Sequence, residues 1–208
     1  DTEMALAVCE VLDAHGSIDR DLLARVFLQR YAHDPARGYG AGAHEFLREL
    51  SMGAQWEETS RGLFGGQGSF GNGAAMRVAP VGAYFAEDLD AVIANARASA
   101  EVTHSHREGQ AGAIAVALAA AFAWRTVHDA GSLAGADLLE FVLDGTPDGE
   151  TRATLDVASR LPRDASVRLA AKALGTGARV SSMDTVPFSL WCARRHLRDF
   201  EGAMWSTV

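Results

Sequence analysis

The stretch Gly65-Gly66-Gln67-Gly68-Ser69-Phe70-Gly71-Asn72-Gly73-Ala74-Ala75-Met76-Arg77-Val78-Ala79-Pro80 packs five glycines into its first nine residues and then turns at once into an apolar run. Within it, Gly66 to Gly71 spells G-x-G-x-x-G, the fingerprint of a dinucleotide-binding unit. The fingerprint has mechanical meaning only between a buried strand and a helix. The residues before it, GAQWEETSRGLF, hold no β-branched apolar run, so the match is weak on its own and the Rossmann reading is disfavoured. What survives is general physics: bare glycine backbone can take φ > 0 and approach a ligand closely, and N–H groups at a helix start favour anions. By composition alone, a long surface loop reads equally well.

Outward from this loop, apolar residues recur at helical spacing: Met4, Val8, Val11 and Leu12; Leu22, Leu23, Val26, Phe27 and Tyr31; Val92, Ile93 and Ala96. Sustained period-two alternation is missing. Breaks fall at residues 15–17, 33–42, the glycine loop, 103–109, 144–150 and 175–182. The pattern predicts an all-α chain of about eight to ten helices. Asp184 or Thr185 reads as an N-cap with Pro187 in the first turn of the helix that follows. Small residues dominate from Gly109 to Trp124, which predicts a central helix closely approached by its neighbours. No internal repeat and no long linker divides the chain, so residues 1–208 read as one domain.

Nineteen basic against twenty-seven acidic residues give a net charge of -8 with no concentrated basic stripe, which disfavours nucleic-acid binding. Cys9 and Cys192 lie in apolar helical contexts without partner spacing and read as reduced core residues of a cytoplasmic protein. The longest apolar run, Ala111 to Trp124, falls short of the roughly 18 residues of a membrane span. No membrane partner is expected, no signal peptide is recognised, and a monomer is the default. The chain opens in helical phase on Asp1-Thr2-Glu3-Met4 without an initiator Met and stops at Trp205-Ser206-Thr207-Val208 without a polar tail. It reads as the middle of something longer, truncated at both ends.

Four clusters at helix boundaries have residue types suited to chemistry. Asp1 and Thr2 offer hard oxygen donors for Mg²⁺ or Mn²⁺, although the same pair is an ordinary helix start. Gly38 to Gly42 precedes the helix AHEFLREL and is otherwise a turn. Gly68 to Gly73 is the loop already described. Thr103-His104-Ser105-His106 ends a helix, where one histidine of such a pair is commonly exposed and the other structural.

The wording and order of these clusters resemble the ADP-ribosylglycohydrolase family. Gly68-Ser69-Phe70-Gly71-Asn72-Gly73-Ala74-Ala75-Met76-Arg77-Val78-Ala79-Pro80, then Ser99-Ala100, Thr103-His104 and Gly109-x-x-Gly112-Ala113, match its line, and G-S-F-G-N-G-A-A-M-R is the most specific piece. Asp1-Thr2-Glu3-Met4 looks like the tail of its T-D-D-T-[EQ]-M metal motif. Gly175 to Val180 and Asp184 to Phe188 fit a bacterial branch. The resemblance implies a compact all-α orthogonal bundle and two divalent metal ions, usually Mg²⁺. It also implies hydrolysis of the bond joining C1 of a terminal ADP-ribose to a modified protein side chain or another acceptor. It implies that Gly68, Ser69, Phe70, Gly71 and Asn72 offer N–H groups and the Phe70 edge to the diphosphate and ribose. By the same carry-over Gly42 approaches the ligand, His104 contacts diphosphate or ribose, and Asp1 and Thr2 bind metal. His106 is then expected to be exposed, Met76, Val78 and Val81 to be core, and Arg77 to be a structural ion pair rather than a ligand contact.

The chain departs from the family pattern in three places. The N-terminal G-D-x-x-G-x-P-x-E segment, the first two residues of T-D-D-T and the C-terminal G-x-D-x-D-T are absent. The acidic catalytic residues are therefore expected outside this chain, which alone should bind metal poorly. Hydrolysis is assigned to the parent protein and only conditionally to this piece. A non-catalytic ADP-ribose-binding or structural member of the same fold is the second reading. An all-α interaction module whose glycine loops are merely turns is the third.

Overall fold

The computed structural model describes residues 1–128 and 135–208. Among these, thirteen helices run in chain order: α1 (Thr2–His15), α2 (Arg20–His33), α3 (Ala41–Ser51), α4 (Trp56–Gly66), α5 (Gly73–Arg77), α6 (Ala79–Tyr84), α7 (Leu89–Glu101), α8 (Arg107–His128), α9 (Leu138–Gly145), α10 (Glu150–Arg160), α11 (Val167–Leu174), α12 (Ser182–Arg195) and α13 (Phe200–Thr207). The described residues form no strand beyond one isolated antiparallel bridge between Gly71 and Ser181. The all-α class holds, and the six sequence breaks fall between helices, but thirteen helices exceed the eight to ten expected. Part of the excess comes from Pro80, which enters the first turn of α6 and separates two short helices where periodicity alone reads one.

Local chemistry sets the ends. Asp19, Asp88, Asp137 and Ser166 accept backbone N–H groups at the starts of α2, α7, α9 and α11, and Gly16 closes α1 in the left-handed conformation. The cap expected at Asp184 or Thr185 lies further upstream, at Ser181, so Pro187 sits inside α12 rather than in its first turn. Asp184 is engaged elsewhere: its carboxylate accepts the Arg179 N–H at 2.9 Å and braces the loop before the helix. Cys192 is buried as expected, whereas Cys9 is exposed, because the α1 core stripe of Met4, Ala7, Val8, Val11 and Leu12 leaves it on the opposite face.

Helix α8 is the axis. Helices α5, α6, α7, α9, α10 and α12 all pack on it. Its mean hydropathy and 22-residue length would suit a membrane span, yet half of it is buried inside the fold by these neighbours. The small residues of this helix permit that crowding. A methyl group at Gly82 of α6 would overlap the Ala117 carbonyl of α8, and one at Gly109 would stand 2.7 Å from the Ser69 carbonyl oxygen. Gly109 and Gly112 thus let the start of α8 lie against the glycine loop and against Ser182 of α12.

Across that axis, Glu108 at the start of α8 reaches α10. Its buried carboxylate accepts the Glu150 N–H (2.9 Å), the Thr151 N–H (2.9 Å) and the Thr151 hydroxyl (2.8 Å). Burial works to raise its pKa, but the Thr151 and Glu150 donors overcome this and hold the carboxyl below its ordinary range.

Candidate functional site

A cleft of ≈ 500 Å³ opens where the N-terminal end of α1, the 38–43 turn, the glycine loop and the 179–180 loop meet. Its volume falls within the common range of small-molecule sites, about 300–1,000 Å³. Asp1, Gly42, Ser69, Phe70, Gly71, Asn72 and His104 all line it, so seven of the proposed site residues converge from four separate segments. Thr2 and Gly68 are not among the lining residues. Gly68 is buried with φ +73°, and a side chain there would collide with the Ser105 hydroxyl, so it shapes the loop from behind.

The loop is stapled to the distant 180–185 segment. The Asn72 N–H donates to the Val180 carbonyl at 3.1 Å, and the Ser182 N–H donates to Phe70 O at 3.0 Å. The Ser182 hydroxyl donates to Gly71 O at 3.0 Å, and the Asn72 amide to the Thr185 hydroxyl at 3.0 Å. The expected row of five free N–H groups is therefore shorter. Gly68 N–H binds Leu63 O, Gly71 N–H binds the Ser69 hydroxyl oxygen and Asn72 N–H binds Val180 O. Those of Ser69 and Phe70 make no hydrogen bond within the described residues. Successive free N–H groups of this kind are the donors from which backbone anion sites are built.

His104 lies beneath the loop, 9% exposed, with Nδ1 2.7 Å from the Thr103 hydroxyl. Burial and then the nearby Arg77 charge push its pKa down to about 3, so the ring is neutral at physiological pH. Arg77 is structural, as expected, but it has no ion-pair partner among the described residues. It is fully buried, donates to Ser99 O and the Thr103 hydroxyl at 2.8 Å each, and stacks 4.7 Å over the Phe27 ring. Burial lowers its pKa to about 9, which still leaves a cation at neutral pH.

Two further expectations need correction. Val78 and Val81 are core, but Met76 is half exposed on the cleft rim, because the short α5 turns it away from the interior. His106 is only partly exposed: its ring packs edge-on to Phe70 at 5.4 Å, and Nδ1 accepts the Glu108 N–H at 3.1 Å, capping α8.

Four wall residues carry no assigned role in the sequence reading. Tyr39 lines the cleft and packs edge-on against Tyr31 (5.2 Å) and His44 (5.8 Å). Phe64 and Val180 also line the cleft, with φ 53° and 56°, both left-handed conformations rare for such side chains. Arg179 joins Arg77 on the lining. A hydrophobic residue forced to φ > 0 beside a glycine run leaves no periodic mark; the second loop is marked in the sequence by the GTGARVSS break and by the motif wording of Gly175 to Val180.

The donors present do not complete a metal centre. Asp1 is the single carboxylate among the lining residues, and the described residues hold no group of three or more His, Cys, Asp or Glu side chains suited to an ion. A hard divalent cation takes about six oxygen donors.

Comparison with known proteins agrees with this architecture. The sequence pattern of the ADP-ribosylglycohydrolase family matches residues 1–208. Human ADP-ribosylhydrolase ARH3 is 32% identical over 215 residues, covering 94% of this chain and 58% of the human protein. Bovine ADP-ribosylhydrolase ARH3 is 43% identical over 121 residues, covering 57% of this chain and 33% of the bovine protein. An uncharacterized protein of Archaeoglobus fulgidus is 29% identical over 193 residues, covering 92% of this chain and 58% of that protein. The chain thus spans little more than half the length of the human relative, and by its sequence it belongs to the ADP-ribosylglycohydrolase family.

Proposed function

We propose that the cleft binds ADP-ribose and that the protein hydrolyses the glycosidic bond joining ADP-ribose to a modified protein side chain or small-molecule acceptor. The observation that carries the binding reading is the charge of the cleft. In a chain of net charge -8, the lining holds Arg77, Arg179 and one carboxylate, beside the free Ser69 and Phe70 N–H groups. A diphosphate suits that environment, because it meets two hydrogen-bond donors and uncancelled positive charge in a partly enclosed space. The hydrolytic reading rests on family membership and on the relatives named as ADP-ribosylhydrolases.

In this proposal Ser69, Phe70 and His104 hold the diphosphate or the adjoining ribose, Gly42, Gly71 and Asn72 shape the walls, and Asp1 and Thr2 donate oxygen ligands to Mg²⁺ or Mn²⁺. Asp1 and Thr2 do not by themselves make up the two-ion centre that the family resemblance implies. A cytoplasmic monomer acting on ADP-ribosylated protein, with neither membrane nor nucleic acid as partner, completes the reading.

The single carboxylate in the cleft favours one alternative, binding of ADP-ribose without turnover. Calorimetric titration of ADP-ribose into the folded chain, with and without Mg²⁺, tests the site. A one-to-one heat signal weakened about tenfold or more in Asn72→Ala or His104→Ala supports it, and a folded chain that gives no heat removes it. Release of ADP-ribose from modified protein then separates hydrolysis from binding alone.

A further inference from the structure

The order of donors and acceptors behind the cleft wall fixes the proton on His104. Arg77 can only donate. Its Nη2 lies 2.8 Å from Ser99 O and 2.8 Å from Thr103 Oγ1, so the Thr103 oxygen is an acceptor there. Thr103 has one hydroxyl proton of its own. The remaining polar atom at its oxygen is His104 Nδ1, at 2.7 Å. Were Nδ1 protonated, Thr103 would accept twice and its own proton would face buried protein with no acceptor among the described hydrogen bonds. Buried hydroxyls rarely tolerate that. A second proton on the ring is opposed by burial and by the Arg77 charge, which has no carboxylate partner among the described residues.

The other ring nitrogen faces the ligand space. Nε2 makes no hydrogen bond within the described residues, and methyl groups at Gly71 and Gly73 would stand 3.5 and 3.4 Å from it. The bare backbone at these two positions keeps the approach to Nε2 open. We propose that the buried Arg77 guanidinium and the Thr103 hydroxyl lock His104 as its Nε2–H tautomer, making it a fixed neutral donor to an acceptor oxygen of an anionic ligand. Arg77 and Thr103 are then positioning residues acting through His104. The recipient is a phosphate or hydroxyl oxygen, and a ligand presenting only a donor at that point is excluded. The lock stands on the geometry alone; the identity of the recipient rests on the ADP-ribose reading above.

Long-range proton–nitrogen correlation spectra of the ¹⁵N-labelled full chain test the lock, with the His104 ring signals identified by their loss in His104→Gln. The expected wild-type pattern is a protonated Nε2 and an unprotonated Nδ1. Thr103→Ser keeps this pattern, and Thr103→Val converts it to a tautomer mixture and weakens ADP-ribose binding about tenfold or more, as expected when a donor to a charged group is lost. If Thr103→Val does not fold, the wild-type and Thr103→Ser spectra decide. A protonated Nδ1 or a mixture in wild type, or a folded Thr103→Val with the wild-type pattern, overturns the lock. A chain that binds ADP-ribose without moving the Nε2–H resonance overturns the donor role. One that shows the Nε2–H pattern but binds no ADP-ribose instead overturns the function proposed above.

Discussion

The Asn72 side-chain amide and the Thr185 hydroxyl meet at 3.0 Å, although 113 residues separate them in the chain. That bond ties the glycine loop to α12 beside the cleft. A half-buried hydrogen bond of this kind is worth about 1 kcal/mol, so Asn72→Ala and Thr185→Val should each destabilise by about that amount. Their effects should not add, and a double-mutant cycle by urea denaturation is expected to give a coupling of about 0.5–1.5 kcal/mol. Strict additivity would show that the two side chains do not act on each other.

Gly68 should tolerate no side chain. Its φ of +73° is left-handed, and a Cβ there would run into Ser105 and stand 2.8 Å from the His106 nitrogen. Gly68→Ala is expected to cost about 2–4 kcal/mol by combining backbone strain with a clash. A stability within 0.5 kcal/mol of wild type would contradict this loop geometry.

Val180 offers the opposite case. It is 62% exposed at φ 56°, where a β-branched residue is strained. Val180→Asn keeps a side chain that accepts this conformation and removes about 1–2 kcal/mol of strain. Thermal melting should therefore rise, and a lower melting temperature would mean that Val180 makes favourable contacts greater than its strain.

Glu108 fastens α8 to α10, and its loss leaves the buried Thr151 N–H and hydroxyl without their acceptor. Glu108→Ala is expected to destabilise by about 3 kcal/mol or more. Glu108→Gln should recover only part, since its amide oxygen can replace one carboxylate oxygen while its NH2 faces the donor at the other. Chemical denaturation of both variants measures this, and recovery of most of the stability by Gln would argue against a charge-assisted cap.

Acid should weaken the fold in two separable windows. The unfolded chain protonates His104 near pH 6.5, but the folded chain does so only near about 3. Between these values the unfolded state binds one more proton, so stability falls as pH falls, by up to about 1.4 kcal/mol per pH unit. Glu108 and Asp137, both held below the ordinary carboxylate range, add loss of the same sign only below about pH 4.5, where the unfolded carboxyls begin to protonate. Denaturation curves at pH 6.5 and 5 should therefore show a slope that His104→Gln reduces. An unchanged slope in that variant would mean the folded imidazole takes a proton readily.

The sequence by itself determined the helical class and the helix breaks, because both follow from spacing within a single turn or loop. It also placed Gly42, Ser69, Phe70, Gly71, Asn72 and His104 at one cleft, because their motif wording identifies the family. Tertiary structure decided what those residues do there. Cys9 and Met76 belong to apolar runs, yet packing turned them outward, since periodicity shows that a helix has a core face but not how wide it is. The free N–H groups of the glycine loop fell to Ser69 and Phe70 because Leu63 O takes the N–H of Gly68, the Ser69 hydroxyl oxygen that of Gly71 and Val180 O that of Asn72. Arg77 became a buried cation with no carboxylate partner among the described residues, because its partners, Met4, Phe27, Ser99 and Thr103, come from α1, α2, α7 and the turn after α7. Such arrangements depend on contacts between residues far apart in the chain, where local propensity and motif spacing carry no record of which partner arrives.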